Sequence, residues 1–132
     1  MSTLSDRVKL EKRYKRQIVR KMKSIGTYNA SFMYTINVLA KVLADYEATT
    51  ERFERTGGHM VIKHTNKNGS TNIVKNPLYL ALEKLRDDIL AYSKELGLTP
   101  AGLSRVNDEL NKKDNKSKLS QVLSELTDRE KT

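Results

Sequence analysis

NPLYLALEKLRDDILAYSKELGLTPAGLSR, residues 76–105, decides the fold class. Asn76 followed by Pro77 is a helix-start signal: an asparagine cap, then a proline whose missing N–H costs nothing in the first turn. Leu78, Leu82, Leu85, Ile89, Tyr92 and Leu96 then alternate by four and three, which keeps them on one side of a helix. Gly97 supplies the C-terminal cap. Thr99-Pro100 repeats the start signal, and a second, short helix is predicted with Leu103, Val106 and Leu110 inward.

Working outward toward the N-terminus, residues 59–75 change character. Met60-Val61-Ile62 and Ile73-Val74 are β-prone runs, and the Asn68-Gly69 pair between them favours the positive φ angles of a tight turn, so a small β-hairpin is expected. Before it, residues 28–55 read as a long helix, with Thr27 or Asn29 as its cap. Phe32, Ile36, Leu39, Leu43, Tyr46 and Phe53 form a seam of heptad type, with Thr50 filling one position. Val38 and Val42 widen the stripe to one side, which assigns this helix two neighbours and makes both valines candidates for an oligomer interface. Residues 6–25 read as a further helix, with Leu10, Tyr14, Ile18, Met22 and Ile25 on its inner side. Toward the C-terminus, Asn111 to Lys118 reads as a polar linker. Leu119, Val122, Leu123 and Leu126 beyond it make a last small amphipathic turn or two.

The expected architecture is mostly α: a helical domain with long antiparallel helices and one small β-hairpin. Three regions follow: a basic amphipathic helix over 1–26, a helical and oligomerising core over 27–111, and a linker with a C-terminal docking segment over 112–132. With 37% apolar and 31% charged residues the chain supports only a modest core, and partner chains are expected to cover part of its apolar surface.

The net charge of +9 is concentrated. Residues 1–24 hold nine basic side chains against Asp6 and Glu11, an excess of +7, while the remaining sixteen basic and fourteen acidic residues nearly cancel. On the first helix Lys9, Lys12, Arg13, Arg16, Arg20 and Lys23 fall opposite the apolar side with no acid among them. A solvated face normally mixes both signs. A pure cationic face instead points to a polyanion, and phosphate contact along a nucleic acid is favoured over an anionic membrane surface. Lys63, Lys67 and Lys75 give the hairpin a weaker claim to the same role.

Catalytic chemistry is not expected. There is no cysteine, which excludes disulfides and thiolate zinc sites. His59 and His64 are five apart in a strand context and point to opposite faces, so a shared metal is not expected. Asp87 and Asp88 are adjacent on a helix and diverge by about 100°. Gly97 and Gly102 have the spacing of a phosphate loop, but Leu103 stands where its lysine belongs, so no nucleotide cofactor is expected. No apolar run approaches the roughly 18 residues of a membrane span, and the N-terminus lacks the apolar core of a signal peptide.

Asn76-Pro77-Leu78, the leucine-rich helix to Leu96, the junction Leu96-Gly97-Leu98-Thr99-Pro100 and Arg105 together resemble the small subunit of tailed-bacteriophage terminases. The order of long helix, hairpin, Asn-Pro helix and short helix extends the likeness. The family pattern often has Ser-Ser-Arg after the Thr-Pro, where this chain has Ala101-Gly102-Leu103-Ser104-Arg105. The resemblance implies a non-catalytic subunit that recognises phage DNA and recruits or regulates a separate ATPase–nuclease large subunit. It further implies double-stranded DNA as ligand, the large subunit and the portal as partners, a homo-oligomeric ring, and the cytoplasm of the infected bacterial host. Two alternatives stay open. Residues 84–110 also read as a helix-turn-helix of a transcription regulator, with Arg105 as its lone base-reading cation. The basic arm also suits a structural or scaffolding protein that neutralises packaged nucleic acid.

Overall fold

The computed structural model describes residues 3–130. The element order is α1 (Leu4–Ile25), α2 (Met33–Arg55), β1 (Val61–Thr65), β2 (Thr71–Lys75), α3 (Pro77–Glu95) and α4 (Pro100–Glu130), with a single 3-10 turn, Ala30–Phe32, before α2. The protein is mostly α. Asn29 caps that turn by accepting from the Ser31 N–H at 2.9 Å, so the predicted helix over 28–55 begins its regular α portion five residues late.

α2 is the centre of the molecule, with α1 along one side and α3 along the other. Both neighbours run antiparallel to it. Arg7 near the start of α1 pairs with Asp45 in the second half of α2, and Ile18 and Met22 near its end pack with Ile36 and Leu39, while Phe53 lies near Tyr79 at 6.0 Å and Arg86 donates to the Tyr46 hydroxyl at 3.2 Å. The two neighbours predicted for the second helix are therefore α1 and α3. The core gathers where α1 ends, α2 begins and α3 ends: Ile18, Met22, Ile36, Leu39, Ala40 and Leu96 are buried together.

The α3–α4 junction is built as its sequence predicts. Asn76 accepts from the Leu78 N–H at 3.0 Å and Pro77 opens the helix. Gly97, at φ 72°, turns the chain left-handed, and the Leu98 N–H closes back on the Ser93 carbonyl at 2.9 Å. Gly102 has a different reason. It lies in the first turns of α4 against the end of α3, where a Cβ would sit 2.2 Å from the Lys94 carbonyl oxygen. Both glycines of the phosphate-loop-like spacing thus have structural roles.

Two expectations need correction. The polar stretch Asn111–Lys118 is not a linker: α4 runs unbroken for 31 residues through it. The stretch contains neither Gly nor Pro, and each of its residues costs only some tenths of a kcal/mol relative to Ala in a helix, so nothing in it stops propagation. Every described residue from 111 on is exposed. The hairpin exists, in register Val61↔Lys75 through Thr65↔Thr71, but its turn is looser than the expected tight one. Asn66 and Ser70 close it through a 2.8 Å bond, and Gly69 alone takes a positive φ, 85°. Asn68 instead accepts from the Ser70 N–H and hydroxyl with its side chain. No residue of either strand is buried.

Candidate nucleic-acid interface

α1 is held at both ends. Thr3 and Asp6 form a reciprocal capping box: the Thr3 hydroxyl accepts from the Asp6 N–H at 3.2 Å, and the Asp6 carboxylate accepts from the Thr3 N–H at 3.0 Å. The bond from that backbone N–H, then the one from the Thr3 hydroxyl, holds the Asp6 carboxyl below its ordinary pKa. Gly26 ends the helix at φ 78°. Between these stops Ile18 and Met22 are buried against α2.

On the opposite side lie Lys9, Lys12, Arg13, Arg16, Arg20 and Lys23, all exposed. At 3.6 residues per turn they occupy roughly a third of the circumference with no carboxylate between them. They are not equivalent. Arg13 is 3.1 Å from Glu47 of α2 and lies over the Tyr14 ring at 5.4 Å. Tyr14 donates to the same carboxylate at 2.6 Å, and its burial, then that bond, pushes its hydroxyl pKa up. Part of the Arg13 charge is thus already answered within the fold. Among the described residues, Lys12, Arg16 and Arg20 have no carboxylate within ion-pair distance.

The structure adds a feature that periodicity did not assign. Beside the second half of α1 a groove of about 520 Å³ is lined by Lys15, Arg16, Val19, Arg20, Lys23, Tyr28 and Met33. Three of the six stripe cations form its rim. Tyr28 comes from the turn into α2 and Met33 is the first residue of α2, and Lys23 sits 5.0 Å over the Tyr28 ring. A basic helix followed, just past its glycine stop, by an aromatic residue was the only sequence signal for it.

The hairpin lies at the far end of the helices, beyond the C-terminus of α2 and the N-terminus of α3. Of its lysines, Lys75 is 3.3 Å from Glu83 and 5.9 Å from the Tyr79 ring centroid, while Lys63 and Lys67 project from exposed backbone. Val38 and Val42 are half-buried on α2. His59 and His64 are both exposed, and Asp88 pairs with Lys84 at 3.1 Å, which raises the lysine pKa. Among the described residues no group of His, Asp or Glu could hold a metal, and no helix is long and apolar enough to cross a membrane.

Arg105 is committed elsewhere. Its guanidinium donates to the Lys94 and Glu95 carbonyls at 3.4 and 3.3 Å and pairs with the Glu95 and Glu109 carboxylates. It thereby caps the C-terminus of α3, where a cation also meets the negative end of the helix dipole. A residue so engaged is poorly placed to read bases, which weakens the helix-turn-helix alternative.

α1 thus carries six exposed cations on one face with no carboxylate among them. Comparison with curated proteins and with solved structures returned no match. A family model described as phage terminase, small subunit, matches residues 12–113 of the 132, from within α1 through the first turns of α4, and the chain belongs to that family.

Proposed function

We propose that this protein is the non-catalytic DNA-binding subunit of a phage genome-packaging complex, recognising phage DNA and recruiting or regulating the ATPase–nuclease large subunit. Membership in the terminase small-subunit family supports the packaging role. The observation that carries DNA binding is the row of six exposed cations on α1, opposite buried Ile18 and Met22. A helix about 33 Å long passes one phosphate after another on a duplex, and each neutralised phosphate releases a counterion. Double-stranded DNA is the ligand in this scheme. The family supports a homo-oligomeric ring, the large subunit and the portal as partners, and action in the cytoplasm of the infected host; from the apolar pattern of the chain itself come the ring contact through Val38 and Val42 and docking through residues 119–132.

The test is the salt dependence of duplex binding. Replacing Lys12, Arg16 and Arg20 by Ala leaves the core untouched and is expected to reduce the slope of log K against log salt by about 0.9 per lost contact, approaching about 2.7 in total. An unchanged slope and affinity would remove α1 from the DNA interface.

A further inference from the structure

The groove beside α1 combines two chemistries, and duplex phosphates call for only one of them. Lys15, Arg16, Arg20 and Lys23 supply charge, while Tyr28, Val19 and Met33 supply an aromatic ring and an apolar floor. The volume of about 520 Å³ lies in the range that holds a small organic group. A second groove, along the first half of α1, makes the contrast. It is lined by Asp6, Lys9, Leu10, Arg13 and Arg16, with a carboxylate in it and no aromatic residue. That surface offers charge but no ring on which a base could stack.

Paired bases keep their faces stacked inside the duplex. An unpaired nucleotide offers a flat π face within a few ångströms of its own phosphate, and a ring flanked by cations is the side-chain arrangement that recognises it. The groove is also preorganised. Val19, Tyr28 and Met33 pack their inner sides against the core. The turn bearing Tyr28 is pinned on both sides, by the Thr27 N–H on the Met22 carbonyl at 2.9 Å and by the Asn29 cap. Arg16 and Arg20 belong at once to the groove and to the cationic row, so a strand on α1 passes the groove without leaving its phosphate contacts.

We infer that this groove binds an unstacked nucleotide of single-stranded DNA, with its base against Tyr28 and Met33 and its phosphates on Lys15, Arg16 and Arg20. The inference rests on α1 being the DNA-binding surface and adds that this surface accepts a strand end or an opened segment as well as a duplex.

Anisotropy titrations of the full-length protein with a labelled oligo-dT of about ten nucleotides and with a duplex test it. Tyr28→Leu is expected to weaken oligo-dT binding about tenfold, the size of one lost base–aromatic stack, and to leave duplex binding within about twofold. Tyr28→Phe, which keeps the ring, is expected to bind as the parent does. Equal weakening of both ligands by Tyr28→Leu, or of neither, would overturn the groove assignment. Should Tyr28→Leu fail to fold, photocrosslinking of an iododeoxyuridine-bearing oligonucleotide to the parent decides: adducts on Tyr28 or Met33 support the groove, and adducts only elsewhere overturn it. Should the parent bind neither ligand, the DNA role of α1 itself fails. Duplex binding that persists while Tyr28→Leu is neutral sinks the groove alone.

Discussion

α1 and the distal half of α4 carry the same local pattern and meet opposite fates. In α1, Ile18 and Met22 stand four apart on one face, and α2 covers them. In α4, Leu119, Val122, Leu123 and Leu126 stand on one face with equal regularity, yet they are 60, 51, 56 and 51% exposed. Spacing dictates which side chains share a face, because that depends only on helical geometry. Whether another element covers the face depends on chain topology. α1 turns back at Gly26 onto a helix of similar length, whereas α4 has no later element to meet it in the described residues. The first helix therefore owes its stability to packing. The tail of α4 is helical without any, and an isolated helix of that kind is marginal in water.

Truncating one side chain in each region breaks this comparison most sharply. Leu39 is 1% exposed at the junction of the three packed helices, so Leu39→Ala is expected to cost about 2–5 kcal/mol. Leu123→Ala, by contrast, is expected to stay within about 0.5 kcal/mol of the parent. Chemical denaturation of both variants checks the pair. Comparable losses would mean that the α4 leucines are covered in solution by something the single chain does not show.

A smaller effect is expected where α4 still touches the core. Gly102→Ala drives a methyl group toward the Lys94 carbonyl oxygen, a backbone atom that can yield only if α3 and α4 separate. The expected loss is about 1–3 kcal/mol, typical of overpacking. Gly58→Ala is a useful control, since it has open space around its Cβ position and only the strain of φ 67° to bear. A Gly102 variant as stable as the parent would show that the first turn of α4 is not packed on α3 at all.

Most of the helical architecture was legible because its signals are local. The caps at Asn76-Pro77 and Gly97, the glycine stop at Gly26 and the four-and-three spacing each depend on residues within a turn or two of one another. The Thr3–Asp6 capping box is equally local, and it starts α1 at Leu4, two residues before the predicted 6–25. The six stripe cations were legible for the same reason. What joins them to the rest was not. Glu47, which takes up Arg13 and Tyr14, lies 34 and 33 residues away. Lys15 sits toward the inner side of α1 on a helical projection. It lines the groove together with Tyr28 and Met33, which follow it by 13 and 18 residues, so helical periodicity alone does not place it there. The linker predicted at 111–118 failed for a further reason: polarity says that a segment is solvated, and solvation alone does not prevent a helix.

The smallest effect on the fold is expected from the largest deletion. Ending the chain after Asn111 removes the part of α4 in which every described residue is exposed, and keeps Gly102 and Val106, which are buried. No buried apolar area is lost, so the thermal midpoint is expected to move by no more than a degree or two. Duplex affinity should change little as well. The deletion removes Lys112, Lys113, Lys116, Lys118, Arg129 and Lys131 together with Asp114, Glu125, Asp128 and Glu130, a net charge of only +2, and it leaves the α1 row intact. If residues 119–132 dock on the packaging machinery, the same deletion abolishes stimulation of the large-subunit ATPase, a readout on which stability has no bearing. A truncated protein that loses its cooperative unfolding transition would instead place the α4 leucines in a core formed between chains. That outcome would remove the contrast between α1 and α4, because both apolar faces would then be covered, one by its own chain and one by another.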